Sequence, residues 1–169
     1  QREELLDLIR ASRDEMLAAY AAMRRIVGGQ TPEVLTLLGL SAACDDLAGQ
    51  AKSMQLYVET SGLHCLDSVR RERQLAVYRL VQEALTNAAK HSMAKHAWIT
   101  AELNDEGLAV TICDDGTGIE DVAERLAEPV FMHSLKQRCA ALGAKLDVVG
   151  KSDRGGLSIT IELPQNALT

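Results

Sequence analysis

Glu83 and Asn87 stand four residues apart, Asn87 and Lys90 three, and Asn87 and His91 four, within the stretch Tyr78 to His91. On an α-helix these spacings put a carboxylate, an amide, an ammonium and an imidazole on one face. An amide oxygen suits Mg²⁺, a hard cation that keeps several of its waters. A neighbouring carboxylate can orient or deprotonate a nucleophile. An ammonium can meet a phosphate as a point charge. On spacing alone, however, the commoner outcome is a solvated helix face carrying salt bridges.

A second group follows in Val110-Thr111-Ile112-Cys113-Asp114-Asp115-Gly116-Thr117-Gly118-Ile119. An apolar strand runs into D-x-G-x-G. A carboxylate fixed at a strand end accepts hydrogen bonds only, and so suits an exocyclic amine. Glycines let the backbone turn sharply and approach a flat ligand closely. Alone, this is equally an ordinary Asp-Gly turn.

The elements that must carry these residues can be read from pattern. Gln1 to Val27 contains no Gly or Pro, and Leu5, Ile9, Ser12, Met16, Ala19, Met23 and Ile26 recur at steps of four and three. That spacing reads either as a helix-bundle seam or as an ordinary amphipathic helix. Gly28-Gly29-Gln30-Thr31-Pro32 breaks it, and Thr31 and Pro32 suit the start of a second helix running to about Lys52, with an interruption near Gly39. Gln55 to Thr60 alternates as a short strand. Ser68 to His91 reads as a long helix with Leu75, Tyr78, Val81, Leu85 and Ala88 on one face. Ala97 to Leu103 and Leu108 to Cys113 form a hairpin about Asn104-Asp105-Glu106-Gly107. A helix over His133 to Leu142 and strands over Leu146 to Val149 and Leu157 to Leu163 complete the pattern. Helices and strands do not alternate one for one, which predicts an α+β fold with an antiparallel-rich sheet.

Composition narrows the function classes. A net charge of −6 argues against a nucleic-acid-binding surface. No apolar run approaches the length of a membrane span. Cys44, Cys65, Cys113 and Cys139 lack metal-ligand spacing and sit in apolar surroundings, which predicts buried reduced thiols. His64 and His96 read as surface residues without metal-binding partners. No nucleophile–base–acid triad is apparent.

The two chemical groups lie about 27 residues apart with a hairpin between them. In that order they resemble the ATPase domain shared by bacterial histidine kinases, Hsp90, type II topoisomerases and MutL. Tyr78-Arg79-x-x-Gln82-Glu83-Ala84-Leu85-Thr86-Asn87-Ala88-x-Lys90-His91-Ser92-x-Ala94 is most similar to the N-box of the nitrate-sensor and hexose-phosphate-sensor class of histidine kinases. Gly39-Leu40-x-x-Ala43, Arg138-x-Ala140-x-Leu142-Gly143 and Leu163-Pro164 resemble other segments of that class. The resemblance implies a Bergerat-type α/β sandwich with a left-handed crossover over residues 31–169. Before it, residues 1–30 would be the second helix of a dimerisation hairpin.

The resemblance also implies roles. Glu83 would be the general base or polariser, Asn87 would coordinate Mg²⁺, Lys90 would approach the phosphates and His91 would line the pocket. Asp114 would accept from the adenine amine, and Gly116 and Gly118 would shape the adenine pocket. ATP and Mg²⁺ would be the cofactors. A response regulator and a second copy of the chain would be the partners, with no nucleic acid. The setting would be cytoplasmic, with any membrane anchor in regions absent from this chain.

Three departures accompany the resemblance. None of the four histidines lies in the first helix or precedes Asp, so the phosphoacceptor is expected outside this chain. Pro129, Phe131 and Ser134 stand at the glycine positions of the nucleotide lid, where backbone N–H groups would cradle phosphate. Leu157 follows Gly156 where the family has Thr. A kinase catalytic region and a catalytically degenerate homologue that dimerises and docks a regulator both remain open. An anti-sigma-factor kinase is a more distant reading, opposed by the first helix and by the Leu163-Pro164 ending.

Overall fold

A broken helix begins the residues that the computed structural model describes, 31–169. The expected helix from Gln1 to Val27 lies outside the described residues. Helix α1, Glu33–Gln50, is interrupted where Gly39 takes φ 88° and ψ −178°. Its second half restarts with the Ser41 N–H donating to the Asp67 carboxylate at 3.2 Å. The interruption expected at Gly39 is therefore a left-handed glycine bridging two helical pieces.

Strand β1, Tyr57–Ser61, follows a 3₁₀ turn over Ala51–Met54. A second 3₁₀ turn, Leu63–Ser68, occupies residues before the long helix α2, Arg71–His91, which begins three residues later than the expected Ser68. The reason is tertiary. Val69 is extended and pairs with Leu168, while the Arg70 side chain donates to the Leu168 carbonyl at 2.8 Å. The chain's last residues thus fix the start of α2.

Strands β2, His96–Asn104, and β3, Gly107–Asp114, form the expected hairpin. The Asn104 carboxamide accepts from the N–H groups of Glu106 and Gly107, each at 2.9 Å, and closes the turn. A short helix α3, Val122–Ala127, and helix α4, His133–Leu142, lead to β4, Lys145–Val149, and β5, Ser158–Pro164. Helix α3 was not foreseen. It has six residues, and its one apolar pair, Val122 and Leu126, is only half-buried against the core, too short a repeat to mark a helix.

The sheet order is β1-β2-β3-β5-β4, with β1 parallel to β2 and the other neighbours antiparallel. Residues Glu33–Thr169 make one compact unit. Across one face, Ile99, Ile112, Ile159 and Val148 fall in register as a buried row. Helix α2 packs against this face, and also against α1 and α4. It therefore buries more than the single stripe expected: Val77, Leu80 and Ala84 are covered as well as Tyr78, Val81, Leu85 and Ala88. Each of the buried Val and Leu side chains contributes about 1.5–3 kcal/mol by leaving water. The other face carries Trp98, Thr100, Thr111 and Thr160, with the two Thr111 and Thr160 hydroxyls 3.0 Å apart. Among the described residues no helix is long and apolar enough to cross a membrane.

Candidate functional site

Period-two alternation along β3 places Val110, Ile112 and Asp114 on the helix-covered face. Asp114 is the strand's last residue and is 4 % exposed, a carboxylate at the end of an apolar row. Its Oδ1 accepts from the Gly116 N–H at 2.8 Å and from the Leu157 N–H at 3.3 Å. Burial pushes this carboxyl above its ordinary value. The Gly116, Leu157 and Ser92 hydrogen bonds oppose that shift, and the neighbouring Asp115 charge adds to it.

The glycines around Asp114 answer to close approach. A Cβ on Gly156 would collide with the Asp114 carboxylate and carbonyl, and one on Gly116 would collide with the Ser92 carbonyl. That same Ser92 carbonyl accepts from the Thr117 N–H at 2.8 Å, tying the D-x-G-x-G turn to the end of α2. Gly118 lies in the left-handed region at φ +67°.

Asp114, Asn87 and Gly118 line one cavity of about 490 Å³. This is the size of a small-molecule site. Its apolar walls include Ile112, Leu157 and Ile159, which suit a flat heterocycle. The structure therefore brings together three residues of the two expected groups. Glu83 lies one turn before Asn87 on α2, outside the lining. Its Oε2 accepts from the Ser134 hydroxyl at 2.8 Å and lies 3.5 Å from the Arg138 Nε. Its charge also acts on Cys139, whose thiol is pushed up to about 11 by burial and then by Glu83. Lys90 is exposed and does not line the cavity, and Gly116 shapes the turn without lining it. The pocket-lining role expected of His91 concerns a side chain outside the described residues.

The lid between Ile119 and α4 is built without the glycines that main-chain phosphate binding would use. Helix α3 crosses this segment, and Met132 enters α4 with φ 51°. Phe131 lies under the Arg125 guanidinium at 5.0 Å, with the Lys136 ammonium 5.8 Å from its ring. Lys136 also donates to the Leu126 carbonyl at 2.7 Å, pinning α3 to α4. Phe131 and Met132 form part of the cavity wall and leave its volume open.

Several of these contacts are not legible from residue types alone. Ser134 stands four before Arg138, a helical spacing that would align both toward one partner, and that was the available signal for the Glu83 contact. Asp115 gave none. Its Oδ1 accepts from the Lys95 and His96 N–H groups at 2.8 and 2.9 Å, and its Oδ2 lies 3.0 Å from His96 Nδ1. Desolvation raises the Asp115 carboxyl, but the His96 and Lys95 hydrogen bonds and the His96 charge outweigh it and hold it below its ordinary value. His96 is exposed as expected, yet it stacks between Tyr57 and Trp98 at 5.8 and 6.3 Å. Among the cysteines, Cys44, Cys113 and Cys139 are buried and all four are free, while Cys65 is only half-buried, against expectation.

As to a metal, no cluster of three or more His, Cys, Asp or Glu side chains able to hold one occurs among the described residues. The Asn87 amide in the cavity wall could offer a metal ion one hard oxygen. That fits the usual handling of Mg²⁺, which takes few protein ligands and completes its shell with phosphate oxygens and water.

Residues 72–167 match the family of histidine kinase-, DNA gyrase B- and HSP90-like ATPases. The chain belongs to this ATPase family. Its curated relatives are sensor histidine kinases of the class that the N-box resembles. The sensor protein NarQ homolog of Haemophilus influenzae is 28% identical over 96% of this chain and 29% of its own length. The histidine-protein kinase/phosphatase UhpB of Salmonella typhimurium is 28% identical over 88% of this chain and 29% of its own. The chain thus spans less than a third of these two relatives. Among solved structures, the blue-light activated histidine kinase of Erythrobacter litoralis superimposes with a TM-score of 0.61 at 23% identity, over 75% of this chain and 42% of that one. The α+β sheet-and-helix arrangement is accordingly the ATPase fold of histidine kinases.

Proposed function

We propose that residues 31–169 are the ATP-binding catalytic region of a two-component sensor histidine kinase. In this reading the region transfers the terminal phosphoryl group of Mg-ATP to a histidine outside this chain, for relay to an aspartate of a response regulator. The observation that supports it most is the convergence of Asp114 and Asn87 on one open cavity with apolar walls. Asp114 takes both main-chain donors on Oδ1, and Oδ2 would accept from the adenine amine. Gly116 and Gly118 keep the turn close enough for a flat ring to lie beside it. Asn87 would hold Mg²⁺ through its amide oxygen, and Lys90 and His91 follow one turn further along α2.

Glu83 supplies the general base. Its carboxylate orients the incoming imidazole and receives its proton. Ser134 and Arg138 hold that carboxylate in place from α4. Catalysis here is positioning and charge neutralisation, as in phosphoryl transfer generally. Residues 1–30 serve as the second helix of a dimerisation hairpin, which makes the protein a homodimer. The catalytic region works in the cytoplasm, where ATP and the regulator are.

The alternative, a degenerate module that docks partners without turnover, draws on Pro129 and Phe131 in the lid. Pro129 has no N–H to offer a phosphate. The open cavity beside Phe131 weighs against it. The test is to incubate the full-length protein with ATP labelled at the terminal phosphate. Acid-labile protein label that disappears in Asn87→Ala supports the kinase. Absence of label from a folded protein with its phosphoacceptor histidine intact leaves the docking module.

A further inference from the structure

The lid lacks the glycines of a phosphate-binding loop and carries Pro129, which has no N–H, yet the cavity it covers contains Asn87 and an adenine-type acceptor in Asp114. A triphosphate entering this cavity brings several negative charges, and something must neutralise them. Lys90 is exposed and absent from the lining. Among the described residues lining the cavity, Arg125 is the one cation.

Arg125 is also prepared for an anion. Its Nη1 lies 3.0 Å from each carboxylate oxygen of Glu128, which itself lines the cavity. Its guanidinium rests 5.0 Å from the centre of the Phe131 ring, so the residue that replaces a glycine serves as a platform for it. A planar guanidinium binds carboxylate or phosphate oxygens through paired N–H donors, and stacking limits its freedom beforehand. Glu128 meets the guanidinium at Nη1 and competes there with an incoming phosphate.

We infer that Arg125 is the phosphate-binding residue of this lid, taking the place of the missing glycine-loop amides by exchanging Glu128 for a nucleotide polyphosphate. The inference rests on the nucleotide reading of the cavity and adds to it the group that recognises the phosphates. It also gives the lid a mode of closure: α3 is drawn toward the ligand through one side chain rather than through a backbone cradle.

The test is calorimetric titration of the 169-residue chain with adenosine, ADP and a non-hydrolysable ATP analogue, for the native protein, Arg125→Ala, Arg125→Lys and Glu128→Gln. Arg125→Ala should weaken the ATP analogue about tenfold while leaving adenosine within about twofold, since only the phosphates meet the guanidinium. Arg125→Lys should recover part of the loss. Glu128→Gln should tighten the ATP analogue, because the competitor for the guanidinium is gone; this opposite sign cannot come from misfolding. Equal loss for adenosine and ATP analogue, or no loss for either, would overturn the inference while leaving the nucleotide site standing. A native chain that binds none of the three ligands would overturn the nucleotide reading itself, and the inference with it.

Discussion

Replacing Asp114 by Asn separates the residue's place in the fold from its place in binding. Both main-chain donors, Gly116 at 2.8 Å and Leu157 at 3.3 Å, meet the same oxygen, Oδ1. An asparagine keeps an oxygen there, so the turn and the start of β5 retain their partner. What changes is the other position, where an amide N–H₂ replaces a carboxylate oxygen and confronts the adenine amine donor with a donor. Losing a hydrogen bond to a charged group costs about 1.5–3 kcal/mol, so the affinity for an ATP analogue should fall roughly ten- to 150-fold. Stability should move differently. The Asp114 carboxyl is held above its ordinary value, chiefly by burial, so its contribution to folding is complete when it is protonated. That contribution is lost as pH rises through the raised value. At neutral pH the buried charge works against the fold, and Asp114→Asn should not lower the melting temperature. The difference between variant and native protein should vanish below the ordinary carboxyl value of 3.8. Calorimetric titration and thermal unfolding on the same samples provide both readings. An affinity within threefold of native would refute the acceptor role. A melting temperature several degrees lower at neutral pH would refute the account of Oδ1.

Ser134→Ala removes the 2.8 Å donor to Glu83 and should lower phosphoryl transfer by the full-length protein about tenfold, with ATP-analogue affinity within about twofold, because only the base loses its orientation. Steady-state kinetics beside equilibrium binding separates the two; a parallel fall in both would mean that Ser134 merely supports the lid. Gly156→Ala places a methyl against the Asp114 carboxylate and carbonyl and should destabilise the domain by about 1–3 kcal/mol, read from urea unfolding. Burial and Asp67 push the Cys44 thiol up to about 12, and Cys139 stands at about 11, so neither should react with a disulfide reagent at mildly alkaline pH. Thiol counting should find half-buried Cys65 accessible in the native protein and all four cysteines only after denaturation.

The strongest sequence signals were those with a period. Helix α4 falls where expected, at His133–Leu142, and the β2–β3 hairpin was marked by Asn104 and Gly107 between alternating strands. Gly39 announced the interruption of α1, since φ 88° is a glycine conformation. Asp114 stood out in the sequence as the acidic residue of D-x-G-x-G at the end of an apolar strand, and the structure buries it there at 4 % exposure. The start of α2 was not legible, because the Arg70 and Val69 contacts to Leu168 join residues 98 and 99 positions apart. Glu83 and Ser134 are 51 positions apart, and the spacing of Ser134 and Arg138 hinted at a shared partner without naming it. The lid could be read as lacking glycines, but not as a wall formed by Phe131 beneath Arg125. That arrangement depends on α3, whose turn and a half carries only the Val122–Leu126 pair, too short to read as a helix.

The central claim is that this cavity binds Mg-nucleotide despite its altered lid, and direct calorimetric titration of the chain with a non-hydrolysable ATP analogue, with and without Mg²⁺, tests it. The account predicts saturable binding strengthened by Mg²⁺, with the Mg²⁺ dependence removed by Asn87→Ala. A folded protein that shows no heat of binding at millimolar nucleotide would contradict it.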